Sequence, residues 1–203
     1  MDEYLEIEVF AKTTSPAVSG EVKLDRIGRT TTNLARITGD GKVALPIYGI
    51  IRAYLEKTLK EAGENVCDTG TSGGCGKCVL CDLFGSLQAR GRAIIDDLKS
   101  EENYKDIVHE SVHLRIDREK GTVSQTLKLE EIQEGATLKG FIRIIDPKER
   151  DLELIVTGLK ALESFGGGGW ITRGRGRFEV SYEARKKRWS DFLKEAKKEL
   201  ERL

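Results

Sequence analysis

The segment IYGIIRAYLEKTLKEAG, residues 47–63, carries the clearest periodicity in the chain. Its apolar side chains recur at intervals of three and four residues: Ile47, Ile50, Ile51, Tyr54, Leu55 and Leu59. Because an α-helix turns once in about 3.6 residues, this spacing places the apolar side chains on one face. Pro46 precedes the stretch and Gly63 ends it, as residues at helix boundaries often do. The sequence therefore predicts an amphipathic helix here.

The segments on either side of this helix have the patterns of strands and further helices. YLEIEVF at 4–10 and TLKGFIRIID at 137–146 alternate apolar and polar residues, as strands with one buried face do. Residues 151–165 have the periodicity of an amphipathic helix, and a strand is expected around 177–182. The charged tail predicts a helix over residues 184–203.

Two insertions are predicted within this framework. One is the Cys-rich segment 66–86, and the other is a hairpin over 109–136, whose strands join around Gly121. The order of strand, helix, excursion, strand, helix and strand predicts an α+β fold. We expect a ferredoxin-like or modified RNA-recognition-motif core with a zinc-binding insertion and a protruding β-hairpin, in a single domain of residues 1–203.

The overall charge does not indicate a general affinity for nucleic acid. The chain has 34 basic and 34 acidic residues, so its formal net charge is zero. Any RNA site must therefore be a local patch. The chain opens MDEYLEIEVF, which is neither basic nor apolar enough for export, and it has no run of about 18 apolar residues. We expect a cytoplasmic protein without a membrane partner.

Four cysteines form the tightest cluster of metal-binding residue types in the chain: Cys67, Cys75, Cys78 and Cys81. The CxxCxxC run allows one turn to bring three thiolates together, and the glycine-rich linker TGTSGG allows Cys67 to fold back to them. Four thiolates with no open position favour structural zinc. An iron–sulfur cluster is the alternative, because CxxCxxC also begins bacterial ferredoxin motifs. Free thiols or disulfides are the third possibility.

A glycine-rich stretch near the C-terminus, FGGGGWITRGRGRFEV at 165–180, contains three alternating arginines: Arg173, Arg175 and Arg177. Glycines allow the backbone to approach a phosphodiester closely, and guanidinium groups match phosphate oxygens. The sequence predicts RNA contacts by these arginines. The alternative is that the glycines only form a tight connection between a helix and a strand.

Several motifs together resemble the repeat-associated mysterious protein (RAMP) superfamily. They are the first strand running into SPAVSG at 15–20, the helix LPIYGIIRAYLE, the segment CGKCVLCDLFGS and the glycine-rich loop. The hairpin region 113–144, HLRIDREKGTVSQTLKLEEIQEGATLKGFIRI, resembles the thumb of the backbone subunits of CRISPR effector complexes, in particular those of type III. These motifs occur in the family's order and cover most of the chain.

The resemblance implies an RNA-recognition fold in which copies of the protein stack head to tail along guide crRNA, together with other effector subunits. Each thumb would insert between the guide and complementary target RNA at regular intervals. Four residues would lie in the thumb: Arg115, Ile116, Asp117 and Arg118. Its two arginines, Arg115 and Arg118, would contact RNA. The family grips the guide from a Ser-rich helix start with a nearby Lys. In this sequence, Arg52 and Lys57 are the cations of this helix that would contact the guide instead.

Some type III members of the family cut target RNA with an aspartate in the loop after the first strand. Thr32, in TTTNLARI, stands where that aspartate would be expected. Asp25, in VKLDRIGR, is the nearest carboxylate and the candidate catalytic residue. An aspartate there could hold Mg²⁺ or activate the 2′-hydroxyl for attack.

Four functions are compatible with these observations. The leading one is a crRNA-binding scaffold whose sequence specificity comes from guide–target pairing. The second is a metal-dependent endoribonuclease that cuts guide-paired target RNA. The third, a guide-processing nuclease of the same superfamily, conflicts with the cysteine segment and the thumb-like hairpin. The fourth, an iron–sulfur electron carrier, depends on CxxCxxC alone.

Overall fold

The computed structural model describes residues 3–24, 30–68 and 73–202, with the backbone alone for 21–24 and 30–33. In chain order, the strands are β1 (Glu3–Thr13), β2 (Glu21–Leu24), β3 (Thr30–Leu34), β4 (Ala44–Leu45), β5 (Ala93–Ile95), β6 (Leu98–Ser100), β7 (Val108–Asp117), β8 (Thr122–Ile132), β9 (Thr137–Ile145) and β10 (Phe178–Arg188). The helices are α1 (Tyr48–Glu61), α2 (Val79–Phe84), α3 (Tyr104–Ile107), α4 (Asp151–Phe165) and α5 (Ser190–Leu200). A 3₁₀ turn covers Ile171–Arg173.

The core has the ferredoxin-like order of strands and helices. The main sheet runs β10–β1–β9–β6–β4, with β5 on β9, and all its pairs are antiparallel. Along the chain, the sequence β1–α1–β6–β9–α4–β10 is the βαββαβ pattern. Its fourth, first, third and second strands lie side by side in that order. The predicted α+β class and ferredoxin-like core are confirmed.

Strand β1 explains why the sheet buries one face. Its alternate residues Ile7 and Val9 are fully buried in the main core, which also contains side chains of α1 and α4. The two helices cross closely at Gly158, because a Cβ atom there would lie 2.5 Å from Ile51 Cγ2. The periodic segment that predicted α1 thus forms half of the layer covering the sheet.

The hairpin of β7 and β8, residues 108–132, belongs to a second sheet of order β2–β3–β8–β7. One face of this thumb hairpin exposes four apolar side chains, which are more than half exposed: Val112, Leu114, Ile116 and Val123. Gly121, with φ of 61°, closes the tip. The predicted hairpin is confirmed. Its strands span residues 108–132 where 109–136 was expected, because Val108 pairs with Ile132 at its base.

The prediction of one helix from Ala184 to Leu203 is wrong for its first residues. β10 continues to Arg188 and pairs with β1 along its whole length, and α5 begins only at Ser190. Lys187 lies opposite Tyr4 and its Nζ lies 2.6 Å from Glu6 Oε1. The long partner strand therefore draws a charged, helix-forming sequence into the sheet.

None of the described helices combines the length and apolar content that crossing a bilayer requires.

Candidate nucleic-acid interface and metal centre

The four cysteines converge into one cluster. Their Sγ atoms all lie within 4.8 Å of one another. Cys67 Sγ is 3.2 Å from Cys81 Sγ and 3.6 Å from Cys78 Sγ, and none of the four is in a disulfide. Four sulfurs around zinc at about 2.3 Å would be separated by about 3.8 Å. The donor set therefore has the size and chemistry of a four-thiolate metal site, and the cluster could hold a metal ion.

Backbone donors prepare Cys75 to act as a thiolate. The amides of Lys77 and Cys78 point at its Sγ over 3.5 and 3.3 Å. These hydrogen bonds, that of Lys77 first, lower the pKa of Cys75 to about 6. Burial and the neighbouring thiols instead raise the pKa of Cys67 to about 12. Cys75 therefore favours the thiolate and Cys67 the thiol. A bound cation would stabilise all the thiolates together.

Arg52 connects helix α1 to the cysteine segment. Its side chain is buried, donates to the Gly85 carbonyl over 2.7 Å and lies 3.8 Å from Cys81 Sγ. Tyr48 reinforces the connection by donating to the Phe84 carbonyl over 2.8 Å. The guanidinium thus points into the protein, whereas Lys57 on the same helix is exposed. RNA contact by these two residues stays a prediction.

The glycine-rich loop, residues 166–176, lies against the segment that follows β1. Gly169 donates to the Val18 carbonyl and Gly176 to the Pro16 carbonyl, each over 2.8 Å. A Cβ atom at Gly168 would lie 2.4 Å from Val18 O. Glycine is therefore needed here for a close approach between two backbones. The glycine-rich loop, predicted as a tight connection between a helix and a strand, thus lies directly against the SPAVSG segment, residues 15–20.

The three predicted arginines of this loop have different surroundings. Arg173 is exposed, with its guanidinium carbon 4.1 Å from the Trp170 ring centroid. Arg175 donates from Nε to Glu131 Oε1 over 2.6 Å. Arg177 is half-buried and donates to the Ser164 carbonyl over 3.2 Å. Among the three, Arg173 presents the most accessible charge.

The predicted thumb residues lie near the tip of the hairpin. Arg115 and Arg118 are exposed, and Ile116 is 60% exposed. Asp117 instead accepts hydrogen bonds from the amides of Glu119 and Lys120, over 3.0 and 3.1 Å. Its carboxylate therefore holds the turn at the tip of the hairpin.

The candidate catalytic residue Asp25 lies outside the described residues, and the side chain of Thr32 does as well. The catalytic role of Asp25 and its proposed Mg²⁺ stay predictions.

The sequence did not predict the contacts that join the hairpin to the glycine-rich loop. His113 on β7 lies 5.1 Å from Trp170, ring to ring, and the buried Glu131 on β8 receives Arg175. Trp170 directly follows four glycines, which was the available signal for an aromatic side chain at a specialised position.

The comparisons with known proteins agree with this architecture. The family model described as the RAMP superfamily matches residues 10–179. This chain belongs to the RAMP superfamily. A similar protein is the CRISPR system Cms endoribonuclease Csm3 of Methanocaldococcus jannaschii. The two are 30% identical over an alignment of 183 residues, which covers 82% of this chain and 73% of the relative.

The fold is also similar to one chain in the cryo-EM structure of the Type III-B Cmr-beta complex bound to cognate target RNA. The TM-score is 0.65 and the sequence identity is 15%. The match covers 92% of this RAMP protein and 61% of that chain, so this protein spans less than two thirds of its length.

Proposed function

We propose that this protein is a backbone subunit of a type III CRISPR effector complex and that it binds guide crRNA. Its relative of 30% identity is named as a protein of a CRISPR system. The observation that carries the proposal is the meeting of the glycine-rich loop, the segment Ser15–Val18 and the thumb hairpin, with exposed Arg173 and Arg115 beside them. The proposed place of action is the cytoplasm.

The proposed binding relies on local positive charge, because the whole chain is neutral. Arg115, Arg118, Arg173 and Lys57 are exposed cations that can reach phosphate oxygens. Contacts to the backbone carry no sequence information, so guide–target pairing supplies the specificity. Binding should therefore weaken steeply with salt, as counterions compete for the phosphates.

The thumb hairpin gives the proposed subunit a way to act on the paired RNA. Its exposed apolar face, which includes Ile116, suits insertion beside bases rather than contact with water. Copies of the subunit that stack along one guide would then place these hairpins at regular intervals. The other proposed partners are the remaining effector subunits and complementary target RNA, with residues 1–203 acting as a single domain.

The proposed metal is zinc, held by Cys67, Cys75, Cys78 and Cys81. Zinc here would supply folding free energy and no chemistry on RNA, because four thiolates leave no open coordination position. The ion would fix the cysteine segment, and Arg52 would transmit that order to α1 through Gly85. The buried apolar side chains of α2, such as Leu80 and Leu83, attach the segment to the main core.

A second function, cutting of guide-paired target RNA, is favoured by the name endoribonuclease that the similar Csm3 carries. Asp25 is the proposed catalyst, with Mg²⁺ as its metal. The test is incubation of the protein and crRNA with complementary RNA and magnesium, beside the Asp25→Ala variant.

Regularly spaced cuts that disappear in Asp25→Ala, with unchanged guide binding, would support catalysis. Guide binding without cuts would leave a scaffold. Failure to bind crRNA at all would contradict the proposed function itself.

A further inference from the structure

Trp170 has a backbone conformation that a tryptophan rarely adopts. Its φ is 62° and its ψ 25°, in the left-handed region. The other positions with positive φ in the loop 166–176 are all glycines: Gly166, Gly168, Gly174 and Gly176. Left-handed backbone is unfavourable for a residue with a bulky side chain, and such positions cluster at functional sites. The ring at this position therefore calls for an explanation beyond the turn.

The Trp170 ring is not a core side chain. It is half-buried, and its ring contacts are His113 at 5.1 Å between centroids and the Arg173 guanidinium at 4.1 Å. His113 is itself half-buried and lies 3.5 Å from Ser111 Oγ. The indole is thus presented at the boundary between the loop and the thumb hairpin, next to a cation and an imidazole.

The surrounding contacts hold this position firmly. Glu131, 1% exposed, accepts from Arg175 over 2.6 Å and lies 3.6 Å from His109 Nε2. The Trp170 carbonyl accepts from the amides of Arg173 and Arg175, over 2.9 and 3.3 Å. The ring is therefore attached to a loop that is fixed to the hairpin by a buried charge, and it is pre-organised for a ligand.

The register of β7 extends this site toward the tip of the hairpin. His109, His113 and Arg115 share one face, since alternate residues of a strand do. Arg115 lies about 7 Å beyond His113 along the strand. A row of groups results along the hairpin: the ion pair of Arg175 with Glu131, then Trp170 with Arg173 over its ring, and then Arg115 toward the tip.

We propose that Trp170 is a stacking platform for an unpaired base of bound single-stranded RNA: the base takes the ring face that Arg173 covers in the free protein, and the displaced Arg173 and the neighbouring Arg115 contact the adjacent phosphates. Every base has a flat π-face, so stacking on an aromatic ring tolerates any sequence and suits a protein that leaves specificity to pairing. The flanking arginines favour a polyanion over an apolar peptide. The inference rests on the proposed RNA-binding function and adds the site for a base.

The full-length Trp189→Phe variant tests this directly, because it leaves Trp170 as the chain's only tryptophan. Its emission is recorded during titration with fluorescently end-labelled single-stranded RNA, while anisotropy of the label reports binding independently. The control ligand is an RNA of equal length with abasic positions, which keeps the phosphates and removes the bases. We expect the ordinary RNA to quench Trp170 emission and the abasic RNA to bind without quenching.

Two substitutions give an affinity readout. Trp170→Leu should weaken binding of ordinary RNA by about 5- to 150-fold, the range seen when one base loses its aromatic partner. Trp170→Phe should retain most of the affinity, and the matched Trp189→Leu change should leave it unaltered. RNA that binds without quenching, with equal affinities for Trp170→Leu and Trp170→Phe, would overturn the platform and leave the proposed function standing. Anisotropy that shows no RNA binding by any variant would overturn both.

Discussion

Arg175 in the glycine-rich loop and Glu131 on β8 form a partly buried ion pair, with Nε and Oε1 separated by 2.6 Å. The carboxylate is 1% exposed and the guanidinium 26% exposed, so the pair lies where protein replaces most of the solvent. His109 Nε2 lies 3.6 Å from the other carboxylate oxygen of Glu131, Oε2. Arg175 therefore attaches the loop to the hairpin and joins two parts of the proposed RNA surface.

Loss of Glu131 should lower stability measurably. Glu131→Ala removes a hydrogen-bonded partner of Arg175 and should reduce the free energy of unfolding by about 1–3 kcal/mol. Urea unfolding measures the change. The control is Glu110→Ala, which removes an exposed ion pair with Lys128 and should cost less than about 1 kcal/mol. Equal losses for the two variants would contradict the structural role of Glu131.

Removal of the proposed zinc should destabilise the fold. We expect metal analysis of the purified protein to find zinc in a ratio of about 1:1, because four thiolates form one closed site. A chelator should lower the free energy of unfolding by about 2–3 kcal/mol, as for a ligand present at a hundred times its dissociation constant.

The matched variant is Cys75→Ser, since Cys75 is exposed and its loss removes a ligand with little loss of packing. It should be less stable and insensitive to chelator. A visible absorption band after anaerobic purification would indicate an iron–sulfur cluster and contradict the zinc assignment.

Arg52 and Lys57 should separate stability from RNA binding, although both were predicted to contact guide. Arg52→Ala should cost about 1–3 kcal/mol of stability, because its buried hydrogen bond to Gly85 is lost. Lys57→Ala should change stability by less than about 0.5 kcal/mol and weaken RNA binding in a salt-dependent way. The reverse pattern, with Arg52→Ala stable and Lys57→Ala unfolded, would refute this division.

Asp82 should contribute to the acid sensitivity of the fold. Burial raises the pKa of Asp82, but the hydrogen bonds from Arg92 and Lys148 together lower it by more than burial raises it. The net pKa therefore lies below the ordinary 3.8. A lowered folded-state pKa gives stability that is present above the unfolded value and is lost as the pH falls through the folded value. Asp82→Asn should therefore cost stability at pH 7.

Because Asp82 is 35% exposed, that cost should stay below about 1 kcal/mol. Unfolding by urea at pH 7 and below pH 3.8 would measure it. The difference between Asp82→Asn and the unaltered protein should shrink at the lower pH. A difference that grows on acidification would have the wrong sign.

The sequence predicted the elements whose periodicity directly reflects burial. α1, α4, β1 and β9 have one apolar face each, and the tight cysteine spacing identified the cluster. It could not predict the extent of β10, because Ala184–Arg188 take strand conformation only through pairing with β1. Likewise, the contact between His113 and Trp170 joins residues far apart in the chain, which no local pattern encodes.

Guide binding is the central claim, and its salt dependence tests it most directly. We would measure the affinity of the full chain for crRNA at several salt concentrations, beside the Arg115→Gln/Arg173→Gln double variant. The account predicts tight binding that weakens linearly on logarithmic axes, with a slope reduced by about two in the variant. The control is Arg185→Gln on the main sheet, where the Arg185 side chain forms an ion pair with Glu183. This change should leave the slope unchanged. Absence of crRNA binding, or an identical slope in the double variant, would contradict the account.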